Sequence, residues 1–116
     1  MQDVTIWHNP RCSKSRAALE FLESKDLDIN IVKYLETNPS KNELKEILAM
    51  LGIAPRALMR TKEDIYNELG LKDENDDEKL IEAMVSHPKL IERPIIIKDN
   101  SAVIARPLEN INELLS

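Results

Sequence analysis

Residues 8–16, HNPRCSKSR, hold the chain's single cysteine, Cys12, one of its two histidines, His8, and the cations Arg11, Lys14 and Arg16. The chemistry such a group can do is that of a thiolate. A free thiol has a pKa of about 8.5, and cationic neighbours or a helix N-terminus lower it to about 7 or below. VTIWH (Val4 to His8) reads as a short strand ending at the turn signal Asn9-Pro10, and a helix follows from Ser13. Cys12 therefore falls where unpaired helix N–H groups and the helix dipole favour negative charge. The hydroxyls of Ser13 and Ser15 are placed to donate hydrogen bonds to the sulfur. The competing reading is a small buried apolar residue, the usual fate of an unpaired cysteine. A junction rich in Pro, Ser, Arg and Lys is a poor place for core filler, which favours a reactive thiol. Ser15 stands where a Cys-x-x-Cys motif would carry its second thiol, and the chain has no other cysteine. A Cys12 oxidised in turnover must be resolved by an external thiol.

Three arginines recur in similar settings: Arg60 in ALMRTKE, Arg93 in IERPIII and Arg106 in VIARPL. A residue before proline is biased toward extended backbone, which places Arg93 just before a strand and Arg106 just after one. Strand ends form the rim of an α/β sheet, where ligand sites gather. A guanidinium fork suits a tetrahedral oxyanion because it binds two oxygens at once and keeps its charge. The alternative for each arginine is a solvated or ion-paired surface residue. His8 reads either as a site group or as a satisfied strand-end histidine. Asn9 either donates to a substrate or shapes the turn with Pro10. His87, before Pro88 at a helix end, reads as structural.

The elements that must position these groups follow from periodicity. The first helix covers roughly Ser13 to Lys25 and places Ala18, Phe21 and Leu22 on one face. DINIVKYL, from Asp28, is a second strand, so the start of the chain is a βαβ unit with parallel strands. Ser40 and Glu43 form a capping box for a helix carrying Leu44, Ile47, Leu48 and Leu51, with Gly52 placed to cap its end. Shorter helical pieces cover Glu63 to Leu69, before Gly70, and Asp77 to Val85. Ile95 to Ile97 and Ala102 to Ala105 form a hairpin through Asp99-Asn100, and Leu108, Ile111, Leu114 and Leu115 mark a closing helix. The expectation is an α/β fold of about four strands, one domain over 1–116, with a helical insertion over roughly 39–91.

Hydrophobic residues at 42% permit a core, and aromatics at 3% require it to be mainly aliphatic. A net charge of −5 argues against a general nucleic-acid binder, which needs a basic face. MQDVTIWHNP lacks the basic and apolar regions of a signal peptide, and the longest apolar run, ILAML, is too short to span a bilayer. Cytoplasmic placement, with neither nucleic acid nor membrane as partner, is the expectation.

HNPRCSKSR at 8–16, LMRTKEDIYNELGL at 58–71, HPKLIERPIII at 87–97 and ARP at 105–107 closely resemble the ArsC family of glutathione- and glutaredoxin-coupled arsenate reductases. The YfgD-type branch of that family is especially similar. The resemblance implies a thioredoxin-like fold, a mixed sheet of about four strands with a helical insertion after the second. It implies Cys12 as nucleophile, Arg60, Arg93 and Arg106 as oxyanion-binding groups, and His8 and Ser15 as residues that tune the thiolate. It also implies a cis Arg93-Pro94 bond. Arsenate would be attacked by Cys12, and glutathione and glutaredoxin would resolve the adduct, with no metal or tightly bound cofactor. Arg11 and Lys14 depart from the smaller or polar groups often found at these loop positions. Two other readings share the fold: a thiol reductase acting on another oxyanion or a glutathione mixed disulfide, and an Spx-type regulator that binds RNA polymerase. Ser15 removes the Cys-x-x-Cys switch that such regulators usually carry.

Overall fold

Val4 and Ile6 alternate with Thr5 and Trp7 along β1 (Gln2–Trp7), so the strand buries two different faces. On one face Val4 and Ile6 join Ala18 and Leu22 of α1 (Ser13–Glu23), Ile96, Ala105 and Ile111 in an apolar cluster. On the other, Trp7 stacks on Tyr34 with ring centroids 6.0 Å apart. Burying side chains of this size stabilises by about 1.5–3 kcal/mol each, so two clusters flanking one strand anchor it firmly.

The computed structural model describes residues 2–115. After α1 come β2 (Leu27–Val32), α2 (Tyr34–Thr37), α3 (Lys41–Leu51), α4 (Asp64–Glu68) and α5 (Asp77–Ser86). β3 (Ile95–Lys98), β4 (Ser101–Ile104) and α6 (Asn110–Leu115) close the chain. The four strands lie in the order β2-β1-β3-β4, with β1 parallel to β2 and antiparallel to β3, and β3 antiparallel to β4. This is the mixed, thioredoxin-like sheet expected from the sequence, with helices after the second strand. Among the described residues no helix is long and apolar enough to cross a membrane.

The chain divides into two compact units, one taking in the chain up to Thr37 and from Arg93 onward, the other Asn38–Glu92. The first holds the whole sheet with α1, α2 and α6. In the second, Ser40 accepts from the Glu43 N–H while the Glu43 carboxylate accepts from the Ser40 N–H, and Gly52 ends α3 at φ 68°. Lys41 and Lys45 of α3 hold Glu78 of α5 at 2.6 and 2.8 Å, and these hydrogen bonds pull its carboxyl down to about 2. Arg56 ties the segment together by donating to the Tyr66 hydroxyl and to the carbonyls of Leu71 and Glu74.

β2 and α1 end earlier than expected, for local reasons. β2 stops at Val32 instead of running through Leu35, because the N–H groups of Glu36 and Thr37 both turn back to the Lys33 carbonyl. That turn starts α2 and seats Tyr34 on Trp7. α1 ends at Glu23, where the Ser24 N–H donates to the Glu20 carbonyl and its hydroxyl to that of Phe21.

Candidate active site

Strand register brings the first unit's chemistry together. Trp7 pairs with Ile95, so the end of β1 lies beside the start of β3 and therefore beside Arg93. Ile95 pairs with Ile104, and the Ala105 N–H donates to the Pro94 carbonyl, so the end of β4 and Arg106 lie there too. The Arg93-Pro94 peptide is cis, as the resemblance implied, and Arg106-Pro107 is cis as well.

Cys12 is the N-cap of α1, in extended backbone at φ −96° and ψ 122°. Its N–H donates to the Asn9 carbonyl, and its own carbonyl accepts the Arg16 N–H that begins the helix. The side chain is 9% exposed, yet it is not part of the apolar cluster beneath the sheet. Arg106 Nη2 is 4.0 Å from Sγ. Burial pushes the Cys12 thiol up, but the N–H groups of Ser15 and Lys14, with the charge and hydrogen bond of Arg93, outweigh it and hold the thiol below its ordinary value. The helix start acts as the sequence implied.

The source of the cationic help is different. Arg16 donates from Nη1 to the Pro10 carbonyl at 3.0 Å, bracing the loop, and Arg11 and Lys14 are exposed. The guanidiniums at the sulfur come from far along the chain: the charge of Arg93 lowers the thiol pKa, and Arg106 Nη2 lies within 4.0 Å. The Ser15 hydroxyl also does not serve the sulfur. It accepts the Asn9 N–H at 3.0 Å and lies 2.6 Å from His8 Nδ1, while only the Ser15 backbone N–H assists the thiolate.

His8 is 5% exposed and Ser15 fully buried. Ser15 Oγ accepts the Asn9 N–H and shares one further hydrogen bond with His8 Nδ1, its direction set by the histidine tautomer. Burial, then the charges of Lys33 and Arg16, keep the His8 pKa below its ordinary value, which favours the neutral ring. Asn9 Oδ1 accepts the Arg11 N–H, so Asn9 shapes the turn.

Two arginines of the first unit, Arg93 and Arg106, keep buried donors in reserve. Arg93 Nε and Nη1 and Arg106 Nε are buried with no hydrogen-bond partner among the described residues. Leaving such donors unmatched is costly, so the arrangement suits an incoming anion. Arg60 belongs to the second unit, where its guanidinium pairs with Glu63 at 2.6 Å and approaches Glu92 at 3.8 Å. Among the described residues no group of three or more His, Cys, Asp or Glu could hold a metal ion. One contributor was not read from the sequence: Lys33, whose charge acts on His8. The signal was the parallel register Trp7↔Val32, which sets Lys33 beside His8 and is invisible without the pairing.

Known proteins resemble this chain over nearly its whole length. The ArsC family model matches residues 7–114. An arsenate reductase of Neisseria meningitidis serogroup A is 50% identical over 99% of this chain and 100% of its own length. The uncharacterised YfgD protein of Escherichia coli is 46% identical over 98% of each chain. A solved arsenate reductase structure from Vibrio cholerae superposes with a TM-score of 0.94 at 47% identity, covering 97% of both chains. The agreement runs from the cysteine loop to the closing helix, and the chain belongs to the ArsC family.

Proposed function

We propose that this protein is an oxidoreductase that reduces arsenate to arsenite through a covalent adduct on Cys12. The observation that carries the reading is a lowered thiol pKa beside guanidinium nitrogens that are buried and lack acceptors among the described residues. The family relatives named arsenate reductase supply the substrate. Arg93 and Arg106 hold the oxyanion and offset charge as an oxygen departs. His8 and Ser15 tune the thiolate by fixing the first turn of α1, whose N–H groups face the sulfur. Asn9 holds the loop. The family resemblance adds Arg60 as a third oxyanion group. Its charge is offset by Glu63, so Arg93 and Arg106 carry the proposal.

The steps balance as follows. The Cys12 thiolate bonds to arsenic and one arsenate oxygen, once protonated, leaves as water, with arsenic still pentavalent. Glutathione bonds to the same arsenic and displaces a second oxygen as water. A further thiol, from glutaredoxin, attacks the glutathione sulfur, forms a disulfide with it and leaves the electron pair on arsenic. Water then releases trivalent arsenic as arsenite and restores Cys12. In total two thiols are oxidised to one disulfide, arsenic gains two electrons and one net water is formed. The chain's single cysteine requires such external resolution. A free reactive thiol of this kind fits the reducing cytoplasm.

Arsenate-dependent NADPH oxidation, coupled through glutathione, glutaredoxin and glutathione reductase, tests the reading. Wild type turns over and Cys12→Ser does not, with unchanged melting temperature; equal rates would remove Cys12 as nucleophile. Turnover of glutathionylated substrates with none of arsenate would move the substrate from an oxyanion to a mixed disulfide.

A further inference from the structure

The first unit carries a cleft of about 280 Å³ between the His8–Arg11 turn and the corner from β2 into α2. Its volume is close to the lower limit of small-molecule sites, about 300 Å³. Three charged side chains line it, Arg11, Lys33 and Glu36, and none has an ion-pair partner among the described residues. Leu35, 39% exposed, adds an apolar surface. One wall is Pro10 and Arg11, the two residues that lead directly into Cys12. A ligand in this cleft therefore borders the loop that carries the reacting sulfur.

We infer that the cleft seats the external low-molecular-weight thiol, a short peptide with two carboxylates and one ammonium, of which glutathione is an example. The inference rests on the thiol-resolved reaction proposed above. Two cations and one carboxylate in the cleft match two carboxylates and one ammonium on the ligand, opposite charge for opposite charge. Arg11 and Lys33 take the carboxylates, Glu36 takes the ammonium, and Leu35 covers methylene groups. In the step this binding assists, the thiol loses its proton and its sulfur bonds to the arsenic held by Cys12. An arsenic oxygen leaves as water, and no electrons cross until the second thiol attacks. The exposed charge of Arg11 thereby acquires a role.

Steady-state kinetics on Arg11→Ala, Glu36→Gln and the double variant test the cleft. The KM for glutathione rises several-fold in each single variant and at least tenfold in the double, while the KM for arsenate stays. With 2-mercaptoethanol, which has no carboxylates, parent and double variant run at the same rate. An unchanged KM for glutathione in the double variant, or an equal loss with 2-mercaptoethanol, would overturn the cleft and leave the arsenate reaction standing. A parent that reduces no arsenate fails the functional reading instead. In that case the rate at which oxidised glutathione modifies Cys12, followed by mass, decides the cleft: a slower double variant supports it and an equal rate refutes it.

Discussion

Cys12 sits under opposing influences whose balance sets its reactivity. Burial raises the thiol pKa, and the α1 N–H groups together with Arg93 bring it below the ordinary value. Removing the Arg93 charge shifts that balance upward. For Arg93→Gln, the pH profile of Cys12 alkylation by a neutral reagent moves to higher pH. Below the pKa the reactive fraction falls tenfold per pH unit, so the variant alkylates more slowly near neutrality and catches up in alkali. Superimposable profiles would show that the thiolate owes nothing to Arg93. The same variant lowers arsenate kcat/KM by about 10²–10³, the usual cost of losing one donor at a developing charge. Ser15 matters differently: its hydroxyl joins His8 to Asn9 and so fixes the turn from which the helical N–H groups project.

The ends of α3 were legible because their signals are local. The Ser40–Glu43 box and the glycine after α3 need no knowledge of the rest of the chain. Gly52 has φ 68°, and an added Cβ would meet nothing within 4 Å. The cost of Gly52→Ala is thus purely conformational, about 1–2 kcal/mol. It reads as a lower denaturant midpoint at unchanged slope. A neutral effect would mean that the turn relaxes out of the left-handed region. The number of strands and the placement of Arg93 and Arg106 at strand ends were legible, the latter because Arg-Pro pairs mark such ends, while the strand order was not. Nor were side-chain partners. Sequence proximity pointed to Arg11, Lys14 and Arg16 as the cations acting on the thiol and to the Ser15 hydroxyl as its donor. The folded chain uses Arg93 and a backbone N–H, because register across the sheet decides which charges meet. Lys33 escaped notice for the same reason.

At the scale of the molecule, a chain of net charge −5 gathers Arg93 and Arg106 around one sulfur. Unlike surface cations, these guanidiniums have nitrogens shielded from water, so added salt screens them weakly. The thiol and Arg106 are separated by 94 positions in sequence. An oxyanion gripped from both sides works as a removable cross-link, closing a long span of chain much as a disulfide would, but under the control of ligand concentration. Amide hydrogen exchange then slows together, on adding arsenate, in the first turn of α1 and around Ala105–Arg106. Slowing on one side only would mean that the anion decorates a single segment and fastens nothing.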